Sequence, residues 1–207
     1  RGGPGPGSEA RGRAIARLSA AIAANEPEDV AREAAAALTV GLSASAAYET
    51  ILQSYLFVGF PRAIEAFLAA KPLLEHHGGI PAAPEPPSPA EWTARGESLC
   101  REIYGRHYEK LLGTMRGLSP DLAAWMILEG YGKTLSRPAL TPVERETGVL
   151  AILTVTRMWR QLRSHAIGTV NVGGTRAAAR EAIEAARPWA GDECVREALE
   201  TTELSGA

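Results

Sequence analysis

Thr141-Pro142-Val143-Glu144-Arg145-Glu146-Thr147-Gly148-Val149-Leu150-Ala151-Ile152-Leu153-Thr154-Val155 opens as a helix start and continues as an apolar run. A hydroxyl at Thr141 can accept from the backbone three residues on, and Glu144 can reach back to the cap. Pro142 occupies the first turn, where an N–H would have no partner in any case. The apolar stretch Gly148 to Val155 falls far short of the roughly 20 residues that span a bilayer, so it reads as a helix buried in protein.

The same signals recur on either side. Ser119-Pro120 opens a segment in which Leu122, Trp125, Met126 and Glu129 fall at helical spacing, and Ser43 opens one holding Ile51, Leu52, Tyr55 and Leu56. Gly59 closes the latter before Pro61 begins another short helix. Alanine is abundant and alternating strand-like runs are absent, so the fold class expected is all-α. Later breaks are expected at Gly117, around Gly132 to Pro138, at Gly173-Gly174 and at Gly191.

Six prolines between Lys71 and Ala90 mark residues 71–90 as a stiff, irregular linker. It separates a helical unit at 9–70 from one at 91–207, and residues 1–8, rich in Gly and Pro, read as a disordered or processed end outside the fold. Sliding Val40 to Phe67 onto Val172 to Leu199, an offset of 132, gives nine identities without a gap, among them Gly41/Gly173, Glu49/Glu181 and Gly59/Gly191. Both glycines lie where helix ends need positive φ. A helix, glycine turn, helix unit used twice is the reading, with two unrelated hairpins as the alternative.

The 207 residues are 45% hydrophobic and carry a formal charge of -2, with no basic block to track nucleic acid or an anionic membrane. Cys100 and Cys194 form no Cys-x-x-Cys and suit a reducing interior. Nothing in the composition or apolar runs signals secretion or membrane insertion, so a cytoplasmic location is the default. His76-His77 lacks a third ligand at useful spacing, and no metal is expected.

Gly132-Lys133-Thr134-Leu135-Ser136-Arg137-Pro138-Ala139-Leu140-Thr141 leads into the central helix, followed in order by Arg145-Glu146, Leu150 to Thr154, Gln161-Leu162-Arg163-Ser164-His165, Asn171-Val172-Gly173-Gly174-Thr175, Glu181-Ala182-Ile183 and Trp189-Ala190-Gly191. This series, about Gly96 to Thr202, resembles the carboxymuconolactone decarboxylase family of the alkylhydroperoxidase D-like superfamily. The resemblance implies an alkylhydroperoxidase D-like helical fold, here with a degenerate amino-terminal half-repeat, and self-association as a homotrimer or homohexamer. Tyr55, Leu56, Phe57, Phe60 and Phe67 are expected to be exposed and to need burial in such an assembly.

In the peroxidase branch of that superfamily an acid, two cysteines three apart and a histidine four beyond form the site. Counting back from His165 places Gln161 and Met158 at the cysteine positions and Glu146 at the acid. Neither side chain supplies a thiolate, so an alkylhydroperoxidase-type antioxidant is the least favoured function. The decarboxylase branch requires no cysteines and is consistent with His165 and Glu146 as catalytic residues, without metal or organic cofactor. Met158, Gln161, Arg137, Arg157 and Arg163 are the substrate-binding candidates, arginine being suited to a carboxylate. In one straight helix Glu146 and His165 would stand about 28 Å apart, so the helix must break between them, and the resemblance places that break near Arg157 to Trp159. The chemistry implied is proton transfer and decarboxylation of a small carboxylated lactone or related acid. The alternative is a non-catalytic ligand-binding or assembly member. At the offset of 132, His165 and Glu146 map onto Glu33 and Ala14, so at most one site per chain is expected.

Overall fold

The capping residues read from the sequence set the frame. In the computed structural model, which describes residues 6–78, 80 and 87–204, helix α7 spans Pro142–Val155 and starts where its cap dictates. Thr141 Oγ1 accepts from the Glu144 amide at 3.2 Å, while the Glu144 carboxylate accepts from the Thr141 amide at 2.9 Å. Every residue from Arg145 to Thr154 is buried, so α7 is the central rod of the molecule. Leu150 and Ile152 are fully enclosed; each contributes about 1.5–3 kcal/mol by leaving water.

Helix α1, Pro6–Ala24, lies against α7 and buries Ile15, Leu18 and Ile22. Arg11 pins its start to the α7 cap, donating to Glu144 at 2.9 Å and 3.1 Å. Around this pair pack α2 (Pro27–Thr39), α3 (Ala44–His76), α8 (Trp159–Asn171), α9 (Arg176–Ala185), α10 (Arg187–Ala190) and α11 (Asp192–Thr201). A second layer comprises α4 (Pro89–Tyr104), α5 (Tyr108–Leu118), α6 (Pro120–Trp125) and a π-helical segment, Met126–Leu135. Among the described residues every regular element is helical, as the fold class requires.

The repeat is written into the backbone. Shifting α2 by 132 residues reproduces α8 end for end. Gly59 (φ 79, ψ 168) breaks α3, and Gly191 (φ 83, ψ 161) separates α10 from α11 in the same way. Only glycine adopts such angles without strain. Ion pairs repeat too: Arg145 meets Glu49 at 2.9 Å, and the equivalent Arg13 meets Glu181 at 3.7 Å. Each pair joins one copy to the other, so the two copies interlock through α1 and α7.

Several expectations from the sequence change. Helix α1 begins at Pro6, inside the stretch read as an unstructured end, while residues 1–5 lie outside the described residues. Of the proline-rich linker, 71–76 continue α3 through Pro72 and Pro89-Ala90 begin α4 under a Ser88–Glu91 capping box; Gly79 and 81–86 lie outside the described residues. Proline is tolerated in the first turn of α4 for lack of an N–H to satisfy. The segment after Ser119 does not run as one α-helix, because Trp125 hands over to π geometry that holds to Leu135, across part of the expected break. Leu56, Phe57 and Phe67 are half-buried against the protein's own core, Tyr55 is half-buried beside Thr134 and Phe60, and only Phe60 of that set is exposed.

Candidate functional site

What joins the two candidate catalytic residues is a tight turn. After Val155, Arg157 adopts φ 56, the Met158 amide donates to Leu153 O at 3.0 Å and the Arg157 amide to Thr154 O at 3.2 Å. This is a helix stop of the Schellman type, usually built on glycine. Helix α8 then turns back along α7 and carries His165 to Glu146, where Nδ1 and Oε2 are 2.7 Å apart. The nineteen residues between them, an obstacle in a straight rod, become a hairpin.

Both side chains are withdrawn from solvent, His165 being 6% and Glu146 2% exposed. Phe57 meets the imidazole edge-on at 6.0 Å, and Gly168 lets α8 sit close, since a Cβ there would lie 3.5 Å from Glu146 Oε2 and 2.9 Å from Ile103 Cγ2. Nδ1 is engaged, while Nε2 has no hydrogen-bond partner among the described residues. Beside the pair stand two phenols: Tyr131 donates to Tyr104 across 2.9 Å. Burial, and after it neighbouring charge that includes Glu146, pushes both phenol pKa values upward. They stay protonated at neutral pH, and the Tyr104 hydroxyl keeps its own proton to donate.

The first copy carries neither member of the pair. At the position equivalent to His165, the buried Glu33 is gripped by Arg17 through two 2.8 Å bonds, and Trp189, equivalent to Phe57, stacks on Arg17 at 5.2 Å. An ion pair fills the space that the dyad occupies in the second copy, with Ala14 in place of the acid.

The other sequence candidates are dispersed. Met158 and Gln161 are exposed at the start of α8. Arg163 is exposed and pairs with Glu203 at 2.7 Å within the chain, Arg157 is exposed in the turn between α7 and α8, and Arg137 binds Glu49 at 2.8 Å. Sequence reasoning missed Phe57 on α3, which packs on the imidazole, and Tyr104 and Tyr131 on α4 and the π segment, which lie close enough to feel the Glu146 charge. Cys100 and Cys194 are buried; burial pushes the Cys100 thiol up to about 12 and also raises Cys194. Among the described residues no group of three His, Cys, Asp or Glu is placed to hold a metal.

The Carboxymuconolactone decarboxylase family profile matches residues 120–204, which contain both members of the dyad. The chain is also similar to Peroxisomal protein 2 of Schizosaccharomyces pombe, 31% identical over 139 residues, covering 62% of this chain and 61% of that protein. The chain thus spans less than two thirds of the curated relative. Tyr104, Cys100 and Phe57 fall outside the residues that match the carboxymuconolactone decarboxylase family, so a family pattern alone does not find them. Among the described residues no helix is long and apolar enough to cross a membrane, and the relative's name gives a compartment other than the cytoplasm.

Proposed function

We propose that this carboxymuconolactone decarboxylase-like protein acts on a small carboxylated lactone or related acid, with His165 moving the proton. The observation that carries the reading is the 2.7 Å pairing of Glu146 with Nδ1, which leaves Nε2 free. Glu146 accepts from Nδ1–H, fixes the tautomer and favours the imidazolium when it forms. As the carbon–carbon bond to the departing carboxylate breaks, its electron pair stays on the ring carbon. Nε2, loaded beforehand with a proton from solvent, gives it to that carbon as the bond breaks, and the ring returns to its neutral Nδ1–H form. Tyr104 supplies a hydrogen bond to the lactone oxygen on which the charge spreads. No metal or organic cofactor takes part in this scheme.

Carbon dioxide release from carboxymuconolactone and related carboxylated lactones tests it. H165A is expected to lower turnover by roughly 10²–10⁴-fold, and E146Q by about tenfold or more. Equal turnover by H165A, or none by the unaltered protein across the panel, rejects the scheme. The burial of the dyad favours a second reading, a ligand-binding or assembly member without turnover, and the latter outcome selects it. A thiol peroxidase is disfavoured because both thiols are buried with raised pKa values.

Self-association as a homotrimer or homohexamer belongs to the same proposal. Leu118, Leu122 and Trp125 are exposed around the α5–α6 junction, Trp125 by 63%, and such clusters mark protein surfaces that pair. Light scattering of W125E is expected to show a smaller particle than the unaltered protein, and an unchanged mass would place the contact elsewhere. A cytoplasmic location is likewise proposed, and import of a tagged full chain into peroxisomes would replace it.

A further inference from the structure

The break at Gly59 splays the second limb of α3 from the first and opens a cleft of about 360 Å³ against the π segment. Neither His165 nor Glu146 lines it. Its walls are aromatic and held in place by one another: Tyr48 packs on Phe67 and Tyr55 on Phe60, each pair with ring centroids 5.1 Å apart. Phe60, 66% exposed, and Ile64, 54% exposed, form an apolar rim open to solvent. This is the size and lining of a small-molecule site.

One end of the cleft is polar and carries unbalanced charge. Tyr55 Oη donates to Glu129 at 2.9 Å and lies 2.8 Å from Thr134 Oγ1, and Lys133 Nζ donates to the same Glu129 oxygen at 3.0 Å. Arg137 gives Nε and Nη2 to one oxygen of Glu49, both at 2.8 Å, while Arg145 takes the other at 2.9 Å. Three cations therefore face two carboxylates, leaving one positive charge. Arg137 is 26% exposed, lines the cleft, and its Nη1 has no protein partner among the described residues.

We infer that this cleft is a binding site, separate from the His165–Glu146 pair, for a flat apolar or aromatic molecule bearing one carboxylate. The body lies between the aromatic walls and the carboxylate accepts from Arg137 Nη1 and Lys133, the kind of charge-assisted bond that arginine makes best. The inference does not rest on the dyad's chemistry, and it moves Arg137 from the proton-transfer site to a site of its own.

Ligand-observed NMR and thermal shift with trans-cinnamate, and with its uncharged amide, provide the test. Cinnamate is expected to bind at least tenfold more tightly than the amide. I64E, which places an anion at the exposed rim, and F60A, which removes one wall, are each expected to weaken cinnamate at least tenfold while melting as the unaltered protein does; H165Q is expected to leave the affinity unchanged. Equal binding of acid and amide, no binding of either, or loss of binding in H165Q overturns the inference. So does a change in particle mass in I64E without a change in cinnamate affinity, because a second copy of the chain would then be what fills the cleft.

Discussion

G132A is expected to lower stability by about 3 kcal/mol or more, because it forces apart two helices that touch through their backbones. A Cβ at Gly132 would lie 2.0 Å from Trp92 O, and one at Gly96 2.1 Å from Ile127 O. In each case the obstacle is a carbonyl, which cannot rotate aside as a side-chain tip does. Separating α4 from the π segment also loosens Cys100, Ile103, Tyr131 and Leu135, the small core beneath the crossing. For a chain of this size the melting temperature should fall by roughly 6–12 °C. G117A, at a glycine with open space around it, is the control expected to change little. If G132A and G117A melt alike, the crossing does not hold the layers together.

Glu49 is the second position at which one substitution has a large effect. Its carboxylate, with a side chain 5% exposed, is shared by Arg137 and by Arg145, itself buried at 3%. Arg145 also donates to Gln53 Oε1 at 3.1 Å and to Arg137 O at 2.8 Å, so α3, α7 and the link before α7 meet at this one point. E49A leaves a buried guanidinium without its counter-charge and is expected to cost about 3–5 kcal/mol. Burial already lowers the Arg145 pKa against the raising effect of Glu49. The double substitution E49L with R145M removes both charges and is expected to recover most of that loss. Denaturant unfolding of the two variants decides it. A double variant no more stable than E49A would show that the network's worth lies in its hydrogen bonds and shape rather than in charge compensation.

Local chemistry made much of the fold legible. The caps at Ser43, Ser119 and Thr141 and the stops at Gly59 and Gly191 each depend on a few adjacent residues, and the helices begin and break there. The π segment was not legible, since the backbone it packs against, at Trp92 and Gly96 on α4, lies 40 and 31 residues before its contacts at Gly132 and Ile127. The turn between α7 and α8 falls where the resemblance placed a break, but local propensity does not announce it. Arg157 takes the left-handed conformation that glycine or asparagine usually supplies, at a cost of about 1–2 kcal/mol. The signal stood 132 residues earlier, where Asn25 (φ 62) makes the equivalent turn between α1 and α2. Extending the repeat back to Asn25 marks the break at Arg157 without coordinates.

The site divides in the same way. His165 and Glu146 came from the resemblance, and their meeting depends on a turn that propensity does not announce. Arg137 was assigned to a substrate carboxylate, yet Glu49, almost ninety positions away, holds it at 2.8 Å. No spacing rule identifies such a partner. Phe57, Tyr104 and Tyr131 approach from three separate elements and carry no shared motif.

The account turns on which nitrogen of His165 bears the proton. Nitrogen-15 NMR of the labelled full chain at neutral pH reads this directly, with E146Q to assign the resonance. The account predicts a neutral ring protonated at Nδ1, with Nε2 an unprotonated acceptor that shifts when a carboxylated lactone is added. A ring protonated at Nε2, with Nδ1 accepting from a protonated Glu146 and no response to the lactone, would contradict it.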